Sequence, residues 1–272
     1  MPTTPPGLFV DDLASDAGDD APLVVLVHGT MDRHSSFARV RSRIMDSLHV
    51  VSYDRRGYGA SRHAEPPAGG IGDHVDDLEQ IVAGRRCTLV GHSFGGTVVL
   101  TFAARHPELT ASLLAYEAPL PWLEDWPAHG PREEPFRGVT PEEAAEAFLK
   151  RMVGEHKYER LPLKTREEVV KDGPALVAEM TAIRRDPAPF RPVDVRAPAL
   201  VARGEHTSAH QIRGADRLVA EMPLAELRIV EGAGHGAHQS HPREFAELVR
   251  AAVALAPGAA DTVPAATTTP PL

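Results

Sequence analysis

Apolar residues along the chain alternate between short unbroken runs and stripes of helical spacing. Leu23-Val24-Val25-Leu26-Val27 is a continuous β-branched and apolar run, the pattern of a strand buried on both faces of a parallel sheet. Phe37, Val40, Ile44 and Leu48 then recur at intervals of three to four, which predicts a helix over Ser36 to Leu48 with one buried stripe. A strand follows from His49 to Tyr53. The turn-rich stretch Asp54 to Gly72 leads into a helix beginning near Asp73 and running to Val82, with its acidic residues at the start. Cys87 to Val90 reads as the next strand, Gly95 to Arg105 as a helix stopped by His106-Pro107, and Ala111 to Tyr116 as another strand. The same rhythm returns in a strand at Ala199 to Ala202, a helix over Ala209 to Glu221, a strand at Leu227 to Val230 and a closing helix from Pro242 to Leu255. Such alternation predicts an α/β fold built on a mostly parallel, doubly wound sheet with helices on both faces.

The rhythm breaks between Pro119 and Pro192, where proline and charge accumulate around amphipathic helices. Residues 119–192 therefore read as a small helical cap inserted after the strand that ends near Glu117, splitting the core into 1–118 and 193–256. One apolar face of the cap comprises Ala144, Ala145, Phe148, Leu149, Met152 and Val153, and another Leu176, Val177, Met180 and Ile183. Both are expected to bury against the core, with part of one roofing a pocket. Over 257–272 the chain is mostly Ala, Thr and Pro with nothing to bury, so a disordered tail is expected there.

Composition narrows the function classes. A length of 272 residues suits one large domain with an insertion. The formal charge of -9 disfavours nucleic acid as a partner, because phosphate binding needs a basic surface. No stretch approaches the roughly eighteen apolar residues of a membrane span, and Met1 to Gly7 has no export signal. Cys87 is the single cysteine, so no internal disulfide forms, and no Cys/His spacing suggests zinc. The expectation is a cytoplasmic protein with a small-molecule substrate, no cofactor and no metal.

The chemistry is concentrated in Gly91-His92-Ser93-Phe94-Gly95, which lies directly after a predicted strand and directly before a predicted helix. Serine on a sharp strand-to-helix turn needs small neighbours two positions either side, so that strand and helix can approach closely. With His28-Gly29 after the first buried strand, Asp54-Arg55-Arg56-Gly57-Tyr58-Gly59-Ala60-Ser61 after the next, and Gly232-Ala233-Gly234-His235 after the last, the chain resembles the α/β-hydrolase superfamily from about Leu23 to Leu255. The resemblance implies Ser93 as nucleophile and His235 as its base. It also implies an oxyanion hole made by the backbone N–H groups of Thr30 and Phe94, with Met31 a weaker second donor and His28 bonding its own loop in place. His92, His238 and His241 are read as neighbours without a catalytic role. The Asp54 to Ser61 segment, with one aspartate and the wrong glycine spacing for phosphate, reads as a shaped structural loop.

The acid is the open position. In most of the superfamily it lies three residues after the glycine ending the penultimate strand, and here Gly204 is followed at that distance by Thr207, which cannot carry charge. Glu117, at the end of the strand after the serine helix, is the preferred substitute, ahead of Glu205 and of no acid at all. The aromatic residues Trp122, Trp126, Phe136 and Phe148 either line an apolar pocket under the cap or simply pack. The expected activity is a serine hydrolase acting on an ester, thioester or lactone of a small, largely apolar substrate. Acyl transfer or cyclisation by the same triad, and ligand binding on a hydrolase scaffold, stand as alternatives.

Overall fold

A computed structural model describes residues 6–13, 18, 20–123, 126 and 136–257. The expected tail, from 258 onward, lies outside the described residues. The strands are β1 (Val10–Leu13), β2 (Leu23–Val27), β3 (His49–Tyr53), β4 (Cys87–His92), β5 (Thr110–Tyr116), β6 (Ala199–Gly204) and β7 (Ala225–Val230). They form one sheet in the order β1-β3-β2-β4-β5-β6-β7, with β1 antiparallel to β3 and every other pair parallel.

The unbroken apolar character of the central strands follows from coverage of both faces. The helices are α1 (Ala38–Ile44), α2 (Ile71–Val82), α3 (Phe94–Arg105), α4 (Pro141–Val153), α5 (Glu155–Glu159), α6 (Leu163–Val169), α7 (Gly173–Arg185), α8 (Ala209–Glu221), α9 (Ala237–Ser240) and α10 (Pro242–Ala254). Successive residues of a strand point to opposite faces. Val24 and Leu26 of β2 accordingly pack with the α1 stripe Phe37, Val40 and Ile44 and with Phe245 and Val249 of α10. Val25 and Val27 pack instead with Val75 and Leu78 of α2, Val98 and Phe102 of α3, and Leu218 of α8. The doubly wound expectation is met. Among the described residues no helix is long and apolar enough to cross a membrane.

Several boundaries differ from the sequence reading for identifiable reasons. β1 was not predicted, because Val10-Asp11-Asp12-Leu13 is short and half acidic. It is an edge strand, where charge is tolerated, and Asp11 pairs with Arg41 of α1 at 2.7 Å. The helix expected over Ser36 to Leu48 starts as a 3-10 turn at His34–Phe37 and stops at Ile44, yet its stripe is buried as expected. α2 begins at Ile71 rather than near Asp73, whose carboxylate accepts the Gly70 N–H at 3.2 Å and so sits inside the first turn.

Between β5 and β6 the chain forms α4 to α7. The N-terminus of α4 is fixed by a reciprocal cap, with the Glu143 N–H donating to Thr140 Oγ1 at 3.2 Å and the Thr140 N–H to Glu143 Oε2 at 2.8 Å. α4 and α7 pack through Ala144, Ala145 and Leu176. Their N-termini approach so closely that a Cβ on Gly173 would lie 2.2 Å from the Pro141 carbonyl oxygen. The predicted apolar face of α4 is buried only over its first turns, since Val153 is 42% exposed.

Candidate active site

Parallel strands bring their C-terminal ends to one edge of the sheet, and the chemistry-bearing residues sit there. Thr30 follows β2, Ser93 follows β4, Glu117 follows β5, Thr207 follows β6 and His235 follows β7. A cavity of about 430 Å³ lies between these strand ends and the helices α4 and α7. Thr30, Ser93, Phe94, Glu117 and His235 all line it, so the structure gathers every residue of the predicted constellation at one place.

Ser93 occupies a left-handed turn, with φ 53°, between β4 and α3. That conformation is strained for a side chain other than glycine. Steric crowding explains the flanking glycines. A Cβ on Gly91 would lie 2.3 Å from the Gly95 carbonyl oxygen, and one on Gly95 would lie 2.2 Å from that of Val27. Gly29 also sits close, since its Cβ would lie 3.0 Å from the Ser93 Cβ, tighter than an ordinary contact. The loop carrying Thr30 therefore runs against the serine. Phe94 opens α3, and the first N–H groups of a helix have no partner within it and carry the positive end of its dipole.

The His235 loop is clamped from three neighbours. Tyr116 donates its hydroxyl to the Gly234 carbonyl at 2.8 Å, His92 Nε2 donates to the His235 carbonyl at 2.8 Å, and the His206 N–H donates to the Ala233 carbonyl at 2.8 Å. The His235 ring donates from Nδ1 to Glu117 Oε2 at 2.6 Å, which leaves Nε2 as the acceptor nitrogen. Among the described residues the Ser93 hydroxyl makes no protein hydrogen bond. In ligand-free hydrolases the bond from nucleophile to base commonly tightens only once substrate is bound.

Glu117 has a fully buried side chain and, like Ser93, a left-handed backbone, with φ 46°. Its second oxygen, Oε1, accepts the Gly204 N–H at 2.9 Å. Burial pushes its carboxyl up, but the hydrogen bond and charge of His235, the Gly204 N–H and the Thr207 hydroxyl outweigh burial and hold it below the ordinary carboxylate value. Thr207, at the position where an acid was expected, thus bonds the Glu117 carboxylate just after β5. Glu205 is turned away. It is exposed and accepts the Gly232 N–H at 2.8 Å.

Beneath the Gly29-Thr30 loop lies a charged network that the sequence reading did not single out. Arg55 is fully buried, with its guanidinium between the rings of Tyr58 and Phe94 at 4.9 and 4.8 Å. It donates to the His28 carbonyl at 2.9 Å and the Gly29 carbonyl at 3.0 Å, and pairs with Glu179 of α7. Glu179 Oε2 in turn accepts the Thr30 hydroxyl at 2.9 Å. Burial pushes Glu179 up, but Arg55 and the His74 hydrogen bond outweigh it and hold its carboxyl near about 2. The His28 ring donates from Nδ1 to the Gly29 carbonyl and accepts the Arg55 N–H, each at 2.8 Å, and burial with the Arg55 charge lowers it to about 4. It is a neutral brace for its loop. A signal for Glu179 existed, because it falls within the apolar stripe of Leu176, Met180 and Ile183, where a lone acid needs a buried partner.

The other sequence candidates fall into place around this core. Asp54 accepts the N–H groups of His34 and Ala60, each at 2.8 Å, and so shapes its own loop. Trp126 and Phe148 line the cavity, whereas Trp122 meets Phe190 edge-to-face and Phe136 packs against the α4 and α7 cluster. Met31 also packs into that cluster and is not in the cavity wall. His238 is buried and hydrogen-bonds Asp32 Oδ2 at 3.2 Å, while His241 contacts Ser240. Asp32, His92 and His238 place ligand-type atoms within 4.8 Å of one another, the one such group among the described residues.

This architecture has counterparts among known proteins. The model of the alpha/beta hydrolase family matches residues 24–248, and the chain belongs to that family. A putative carbamate hydrolase, RutD, of Rhizobium rhizogenes is 27% identical over 240 residues, 83% of this chain and 90% of its own length. A 2-(acetamidomethylene)succinate hydrolase of Mesorhizobium japonicum is 27% identical over 241 residues, 81% of this chain and 84% of its own. Among solved structures, an enol-lactonase from Burkholderia xenovorans superimposes with a TM-score of 0.72 at 23% identity, over 90% of this chain and 96% of that one.

Proposed function

We propose that the chain is a serine hydrolase that cleaves an ester, thioester or lactone bond of a small substrate through an acyl-enzyme on Ser93. The observation that carries this reading is the bond from His235 Nδ1 to the buried Glu117, in the wall of the cavity that also presents Ser93 on its strained turn. The relatives named for a carbamate hydrolase, a succinate-derivative hydrolase and an enol-lactonase accord with hydrolysis of a small molecule.

In the first half-reaction His235 Nε2 takes the Ser93 Oγ proton as Oγ bonds to the carbonyl carbon. Charge then develops on the carbonyl oxygen, which the N–H groups of Thr30 and Phe94 stabilise, and each such donor is worth about 3 kcal/mol of barrier. The carbon–oxygen or carbon–sulfur bond to the leaving group breaks, and His235 returns its proton to that group. Water then repeats the sequence on the acyl-enzyme, giving the carboxylic acid and free Ser93. Glu117 holds the Nδ1–H tautomer and offsets the imidazolium charge throughout.

The test is turnover of short-chain p-nitrophenyl esters, with intact-protein mass spectrometry of acid-quenched samples. Wild-type protein is expected to carry one acyl adduct on Ser93. Ser93→Ala should lose the adduct and on the order of a millionfold in kcat. Equal turnover by wild type and Ser93→Ala would refute the reading.

A further inference from the structure

We infer that the cavity takes substrates bearing a carboxylate, which Arg184 binds with Arg151 beside it. This deepens the proposed function and rests on the cavity being the reaction site. α7 contributes Met180, Ile183 and Arg184 to the wall, and α4 contributes Phe148, Arg151 and Met152. The spacing is i, i+3, i+4 on both helices, so each turns one face to the cavity, apolar except for a single arginine.

Several basic side chains of this part of the molecule are paired. Arg62 bridges Asp172 and Glu168, Arg185 pairs with Asp186, Arg191 with Asp194, and Lys150 with Glu146. Arg184 is different. It is half-buried, and its Nη1 is buried without a hydrogen-bond partner. Burial and then the charge of Arg151 both lower its pKa. Arg151 stands with its guanidinium 5.2 Å from the centre of the Phe148 ring, a stacking that holds the cation at the wall.

Among the described lining residues Glu117 is the one carboxylate, and its oxygens are already committed to His235, Gly204 and Thr207. Among the described residues the cavity thus presents Arg184 and Arg151 with no acid committed to them, in a chain whose formal charge is -9. A half-buried cation without a counterion is costly, and a guanidinium satisfies that cost best with a planar, bidentate carboxylate. Trp126, Phe148, Met180 and Ile183 supply apolar contact for the rest of the ligand.

The experiment is calorimetric titration of full-length Ser93→Ala protein with hexanoate and with hexanamide, a neutral analogue of similar shape. Hexanoate is expected to bind about tenfold more tightly or better, the scale of a hydrogen bond to a charged group. Arg184→Gln should bring hexanoate down to the level of the amide, and Arg184→Lys should keep part of the difference, with circular dichroism unchanged in both. Equal affinities for the two ligands, no measurable binding of either, or a preference that survives Arg184→Gln would overturn the inference. Ester turnover separates it from the underlying reaction. Cleavage of neutral esters without an Arg184-dependent carboxylate preference defeats this inference alone. Arg184-dependent carboxylate binding in a protein that cleaves no ester defeats the reaction alone.

Discussion

Glu117 shows how much a single side chain can be asked to do when its environment is built around it. Its oxygens take the His235 ring, the Gly204 N–H and the Thr207 hydroxyl, and these outweigh the cost of full burial. Glu117→Gln should keep the shape but lose the charge that fixes the tautomer and balances the imidazolium. A fall in kcat on the order of 10⁴ is expected in steady-state ester hydrolysis, with the thermal transition retained. Glu205→Gln should leave kcat within twofold or so, since that carboxylate serves only the exposed Gly232 N–H. A large loss in Glu205→Gln would reverse the assignment. The serine turn makes a steric prediction at the same scale. Gly95→Ala drives a Cβ to 2.2 Å from a backbone oxygen, and urea unfolding should show a loss of about 1–3 kcal/mol or more.

At the scale of elements, α7 does more than cover the cavity. Its Glu179 ties the Thr30 hydroxyl and Arg55 together, so a helix between β5 and β6 fixes the loop expected to hold the oxyanion. Gln at this position leaves Arg55 buried without a counter-charge, and a loss of about 3–5 kcal/mol in urea unfolding is expected. The same pair gives a pH dependence of defined sign. The Glu179 pKa is depressed from 4.5 to about 2, so its contribution is fully present above 4.5 and is lost as pH falls from there toward about 2. Urea midpoints of wild type should drop across that window, and those of Glu179→Gln should drop less. Parallel curves for the two proteins would contradict this.

What the sequence disclosed, and what it hid, also divides by element. The strands β2 to β6 and the stripes of α1 and α2 were legible because two-sided burial and amphipathic packing write a period directly into the residue order. β1 was not, since an edge strand with two aspartates has no apolar run to display. That Ser93 and His235 lie on turns at strand ends was readable from the glycine pattern and the family resemblance, and both line one cavity. The Arg55 to Glu179 pair was not, because its partners are 124 residues apart and meet only when α7 folds over the strand ends. Thr207 was noticed as a vacancy, and only the three-dimensional arrangement showed its hydroxyl bonding Glu117 at the neighbouring strand end.

At the scale of the whole molecule, the sheet carries residues from five strand ends to one edge, and α4 and α7 close a cavity of about 430 Å³ over them. The central claim is that this cavity activates Ser93 as a nucleophile. Labelling with a fluorophosphonate, followed by peptide mass spectrometry, tests it most directly, because the reagent reacts with activated serines and needs no knowledge of the substrate. The account predicts one label per chain, on the peptide containing Ser93, lost in Ser93→Ala and strongly slowed in His235→Ala. A folded wild-type protein that takes no label, or takes it on another residue, would contradict it.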